Sequence, residues 1–238
     1  ILFGTCFVFL LIYFKIIFVW KFWYFVSVLI TLTATLGVFI DLIYAFIISL
    51  LIAVLKTFRP SVYLHNLTEP LVYSGLAVIF VQWLNLHSAV MLLILISLYD
   101  IFAVWKSKHM VKLAKFQTNS KTFAGLFIPY KKTGKTGFIF RPTGKTSKRA
   151  VKVKNAILGG GDIGFPLLFS STVMENLILS YNFTKLTALL LASIISLTAS
   201  ISLFILLISA KEDRFYPAMP FLTIGCFVGY CIIWLLFL

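Results

Sequence analysis

Residues 88–105 read SAVMLLILISLYDIFAVW, eighteen positions among which Asp100 carries the only charge. A run this long and this apolar fits a membrane span, which needs roughly 17–25 residues, and a carboxylate inside one is costly and usually functional. The rest of the chain has the same character. Of its 238 residues 61% are hydrophobic and 12% charged, with a mean hydropathy of +1.04, against roughly 45–50% apolar and about 25% charged in soluble domains. A soluble globule is excluded, and so are collagen-like, disulfide-rich and disordered chains.

Apolar segments fall at 1–14, 22–40, 42–55, 70–86, 88–105, 156–174, 186–209 and 217–238. The expected fold is therefore all-α, a polytopic transmembrane helix bundle with eight spans. Several segments are short, so local thinning of the bilayer is expected. One helix over 22–55 would be about 51 Å long, against a hydrocarbon core of roughly 30 Å, so a hairpin is expected to turn near Gly37 to Asp41. Trp20, Trp23, Trp83 and Trp105 lie near span ends, as interfacial anchors do.

The net charge of +14 is local. Residues 106–154 hold fourteen of the 21 basic residues and no acid, while the other seven basic residues balance the seven acidic ones. This divides the chain into spans 1–105, a basic loop 106–154 and spans 155–238. Alternating the spans puts every basic residue except Lys185 on one face, which the positive-inside rule makes cytoplasmic; the C-terminus falls on the opposite side. Within the loop, Phe138-Ile139-Phe140 and the alternating Ala150-Val151-Lys152-Val153-Lys154 have strand character, and a short β-hairpin is expected before residue 159. The repeated Thr-Gly-Lys-Thr phrases at 133 and 143 are not phosphate loops, because Pro129 and Ile139 stand where a Walker motif needs glycine. Cys6, Cys226 and Cys231 read as small packing residues. The first residue is Ile1 rather than Met, and the chain is expected to lack its beginning.

Glu69, Glu175, Glu212 and Asp213 lie at span ends, where solvation suffices, and Asp41 fits the hairpin turn. Asp100 and Asp162 need another reason. Counted along helices from the basic loop, they lie about 9 Å and about 12 Å deep, matched depths on neighbouring antiparallel spans. Two carboxyl groups brought together share one proton rather than carry two charges, which is the apparatus of an aspartic protease. Gly159, Gly160 and Gly161 clear space for a substrate backbone, and Pro166 removes the helical bond to the Asp162 carbonyl. Gly164, Gly225 and Gly229 read as helix-packing positions. Pro217-Ala218-Met219-Pro220 opens the last span with an irregular first turn that leaves backbone groups free to line a cavity. On these residues alone a proton-coupled transporter or channel using the buried carboxylates stays open.

Tyr99-Asp100, Gly159-Gly160-Gly161-Asp162 as Gly-x-Gly-Asp, and Pro217-Ala218-Met219 in place of the usual Pro-Ala-Leu occur in that order on hydrophobic spans. With these motifs the sequence resembles the presenilin and signal peptide peptidase family of intramembrane aspartyl proteases, and Lys108-His109-Met110 looks most like its archaeal members. The resemblance covers residues from about 88 to the end. It implies nine helices with the two aspartates on the sixth and seventh, so this chain would begin at the second. Asp100 and Asp162 would be catalytic, with Tyr99, Gly159, Gly160, Gly161, Pro217, Ala218 and Met219 supporting the site and the substrate. It also implies that substrate helices unwind and add a strand beside the site, for which Val151, Lys152 and Val153 are the candidate edge.

Other intramembrane proteases fit poorly: His65, His87 and His109 form no zinc motif, and a rhomboid-type Gly-x-Ser-Gly is absent. No metal or other cofactor is expected. The expected partners are transmembrane-helix or signal-peptide-like substrates and the lipid bilayer, with anionic lipid at the basic loop; nucleic acid is not among them.

Overall fold

The computed structural model describes residues 17–59, 61–104, 125–130, 154–209 and 216–237. Seven helices and a two-stranded sheet make up these residues. In chain order they are α1 (Ile17–Leu36), α2 (Leu42–Phe58), α3 (Val62–Val81), α4 (Leu86–Phe102), β1 (Gly125–Tyr130), β2 (Lys154–Gly159), α5 (Gly160–Tyr181), α6 (Lys185–Ser209) and α7 (Met219–Phe237).

The connections follow from local chemistry. The Gly37 N–H bonds back to the Thr33 carbonyl at 2.8 Å and closes α1, and Asp41, extended at φ −56° and ψ 143°, precedes α2. The hairpin expected at Gly37 to Asp41 is thus present, with Asp41 exposed at the turn. Asn85 caps α4 by accepting the Ser88 N–H at 2.9 Å, which satisfies one of the helix's orphan donors. Asn182 ends α5 in the left-handed conformation at φ 55°, a role open to Asn because its short polar side chain tolerates it.

The core lies in two parts. Val28, Leu32 and Ala53 unite α1 to α3, while Leu93, Phe169, Ile195, Cys226 and Ile233 unite α4 to α7. Helix α5 is the axis, packed on α3, α4, α6, α7 and both strands. The outside is apolar: Phe18, Leu67, Leu98, Leu207 and Leu235 are each more than half exposed, a surface that only lipid can solvate at this extent. The protein is an integral, multi-pass membrane protein.

The expectation of eight spans is not supported. The segment 1–14 lies outside the described residues, and of the seven helices five are long and apolar enough to cross a bilayer. The other two, α2 and α4, have 17 residues each and so extend about 26 Å. Two segment boundaries and the hairpin's strands also differ from expectation. Helix α3 starts at Val62 rather than at 70 and runs through Pro70, because a lost i−4 bond inside a packed helix is tolerated where neighbours hold it. Residues 156–159 are strand, not helix. The hairpin exists, but its strands pair Gly125 with Gly159 through Tyr130 with Lys154; Phe138–Phe140 and Val151–Val153 lie outside the described residues. Gly225 and Gly229 do pack closely on α6: a β-carbon on Gly225 would come within 2.8 Å of the Ala199 Cα. Gly164 does not, since an added β-carbon there would meet nothing within 4 Å.

Candidate active site

Asp100 and Asp162 lie at the same end of the bundle, each close to a helix terminus. Asp100 is two residues from the C-terminal end of α4, and Asp162 is the third residue of α5. The depth argument from sequence therefore needs correction for Asp162: residues 154–159 between it and the loop are extended, so its distance from Lys154 is not a helical rise. The two helices are packed together, and Asp162 is close enough to Asp100 to interact with it electrostatically.

Each carboxylate is held by main-chain N–H groups at a helix start. Asp100, 5% exposed, accepts the Met219 N–H on Oδ2 at 3.1 Å and also bonds the Ala218 N–H. Pro217 and Ala218 are non-helical and Met219 begins α7, so these donors have no partner within their own helix. The positive end of the α7 dipole faces the same carboxylate. Asp162 stands three residues after Gly159, the residue that precedes α5, and its carboxylate turns back to the Gly159 N–H. This is the returning half of a capping box, with an acid at the third helical position bonded to the cap N–H.

Gly159 is small for a reason visible here. A β-carbon on it would lie 3.1 Å from the Asp162 Oδ2, tighter than most β-carbon contacts, so the carboxylate would have to shift by a few tenths of an ångström. Gly160 and Gly161 form the first turn of α5, and Gly161 is exposed. Pro166 is buried within α5. Tyr99 is half-buried beside Asp100 on α4. Pro217 and Met219 are buried, Met219 in the core shared by α4 to α7. Of the candidate residues, the structure thus brings Asp100, Asp162, Gly159, Ala218 and Met219 into one neighbourhood. Val151, Lys152 and Val153 lie outside the described residues.

A second polar cluster, whose Glu69 is read from sequence as solvated at a span end, is centred on a buried ion pair. Lys56 Nζ lies 2.8 Å from Glu69 Oε1, with the two side chains 1% and 2% exposed. His65 Nε2 is 3.4 Å from the same oxygen and 2.7 Å from the Gly125 carbonyl oxygen. Tyr73, 5% exposed, lies within electrostatic reach of both Glu69 and Asp162. Placing the start of α3 at residue 70 hid this cluster. The available signal was the four-residue spacing of His65 and Glu69, one face of a helix, opposite Lys56 across a short connection.

A family model described as "Signal-peptide peptidase, presenilin aspartyl protease" matches residues 5–238. No curated protein and no solved structure matches the chain.

Proposed function

The chain belongs to the signal-peptide peptidase and presenilin family of aspartyl proteases, and from that membership we propose that Asp100 and Asp162 together hydrolyse peptide bonds within or near transmembrane helices, as a Gly-x-Gly-Asp enzyme. The observation that carries the reading is the pairing itself: two carboxylates that interact electrostatically, each steadied by main-chain N–H donors at a helix start. One such donor would explain a capping acid. Two helix-capping acids within electrostatic reach of each other in an apolar bundle are costly as structure and suited to catalysis.

With one proton shared by the pair, the ionised member takes a proton from water as the water oxygen attacks the scissile carbonyl carbon. The protonated member gives its proton to the carbonyl oxygen. In the second step one hydroxyl of the tetrahedral intermediate returns its proton to the ionised member as the C–N bond breaks, and the protonated member gives its proton to the departing amine, so the carboxylic acid product leaves with the pair again singly protonated. Which aspartate starts ionised is a property of the pair rather than of either residue.

The same reading assigns Tyr99, Gly159, Gly160, Gly161, Pro217, Ala218 and Met219 to support of the site, and Val151, Lys152 and Val153 to pairing with an unwound substrate. It takes the dyad and the loop 106–154 to face the cytoplasm, with the C-terminus opposite, and anionic lipid to meet the basic loop. In the family's nine-helix plan, α4 and α5 would be the sixth and seventh helices.

The test is reconstitution of the purified protein with a transmembrane peptide, comparing wild type with Asp100→Asn and Asp162→Asn. Either substitution is expected to abolish cleavage. Normal turnover by one variant would overturn the dyad, and proton-coupled flux without proteolysis would favour a transporter. Proline at Val151 or Val153 is expected to slow cleavage in a folded protein.

A further inference from the structure

The Lys56–Glu69–His65 cluster lies outside the proposed dyad, yet a continuous set of contacts joins the two. The Gly125 carbonyl oxygen can only accept, so His65 must carry its proton on Nε2 and donate it there, at 2.7 Å. Glu69 Oε1 lies 3.4 Å from the same nitrogen and 2.8 Å from Lys56 Nζ. The lysine thus compensates the buried carboxylate that faces the imidazole. Gly125 is the first residue of β1, and its register partner is Gly159, the last residue of β2. Gly159 in turn precedes α5 and bonds the Asp162 carboxylate. Each link is short: α3 to β1 by one hydrogen bond, β1 to β2 by pairing, β2 to Asp162 by the helix start.

We infer that His65 is a positioning residue for Asp162: standing beside the buried Lys56–Glu69 pair, it fixes through its bond to Gly125 the end of the two-stranded sheet that sets where α5 begins. Physical necessity favours the link. A two-stranded sheet is marginal on its own, and this one packs chiefly on α3 and α5. A hydrogen bond from a half-buried side chain therefore contributes a large share of its placement. A buried ion pair is weak evidence for stability but has an attested use in fixing one arrangement against others. Here the arrangement fixed would be the register of the chain entering α5. The inference rests on the proposed activity of Asp162 only in its kinetic consequence, not in its structural one.

The experiment uses the full chain in liposomes, with His65→Gln, His65→Asn and His65→Leu. Glutamine presents an amide N–H near the Nε2 position; asparagine carries the same chemistry one carbon shorter and cannot reach. Turnover of a transmembrane peptide, hydrogen exchange of the β1 and β2 amides and thermal stability are measured together. Loss of the donor in H65L and H65N is expected to lower kcat about tenfold at nearly constant KM and to speed exchange at Leu126 and Leu158, with H65Q restored to within about threefold of wild type. If H65L fails to fold, the H65N and H65Q pair carries the comparison.

Wild-type kcat and wild-type exchange in a folded H65N would overturn the inference. A raised KM at unchanged kcat would overturn the link to Asp162. If the wild-type protein cleaves no transmembrane peptide, the proposed activity falls. In that case the exchange measurement still decides whether His65 holds the sheet, since it needs no turnover.

Discussion

Replacing Met219 by proline removes the N–H that reaches Asp100, and also exchanges the buried Met219 side chain for a smaller ring, a packing loss that the melting measurement reads separately from turnover. The Met219 N–H reaches Asp100 Oδ2 at 3.1 Å between groups 4% and 5% exposed, so no water replaces it. Met219 is the first residue of α7, a position where proline is favoured because the N–H has no helical partner. The preceding Ala218 is already non-helical, as a residue before proline prefers to be. The helix is therefore expected to survive, and the loss to fall on the carboxylate. A hydrogen bond to a charged group contributes about 1.5–3 kcal/mol, and each 1.36 kcal/mol is tenfold in rate. The Ala218 N–H remains bonded to Asp100, which places the expected fall in turnover at the lower end, about 10- to 30-fold. Met219→Leu keeps the N–H and nearly the volume, and is expected to retain full turnover at a cost below about 1.5 kcal/mol in stability. The assay is peptide cleavage in proteoliposomes at saturating substrate, beside helical content and melting of the detergent-solubilised protein. Wild-type turnover in a folded M219P protein would refute the reasoning that this donor holds Asp100.

Two further perturbations bear on other parts of the molecule. Lys56→Met or Glu69→Gln alone leaves a buried group without its partner and is expected to cost about 3–5 kcal/mol, whereas the double substitution should recover most of that loss. Unfolding titrations in mixed detergent measure the cycle, and single substitutions costing less than about 1 kcal/mol would mean that the pair is hydrated. Gly159→Ala pushes its new β-carbon to within 3.1 Å of Asp162 Oδ2 and should reduce turnover about 3- to 5-fold, by the sensitivity of catalysis to sub-ångström misplacement. Gly164→Ala enters open space within α5 and should stabilise the protein by roughly 0.5–1 kcal/mol, read as a raised melting temperature.

Sequence alone was enough for a nearly all-helical, multi-pass membrane protein, though not for its number of spans, because long apolar runs are local properties that need no partner to be read. The two unusual aspartates were legible for the same reason: a carboxylate in an apolar run stands out wherever the run is packed. The turn at Gly37 to Asp41 and the small-residue packing of Gly225 and Gly229 followed from spacing. Span limits failed where local punctuation was overruled. Glu69 and Pro70 looked like an end of helix, yet α3 passes through both, since Lys56 from α2 neutralises the acid. Residues 156–159 looked like the start of a span, yet pair with residues 125–128 across the loop.

What only the tertiary structure decided is which groups hold the aspartates. Met219 is 119 residues from Asp100 along the chain, and a main-chain N–H carries no signature in its side chain, so no pattern could have named it as the donor. His65 and Gly125 are likewise joined by a carbonyl that every residue possesses. Side-chain chemistry is written in sequence, whereas the use of a backbone group depends on where folding leaves it unpaired.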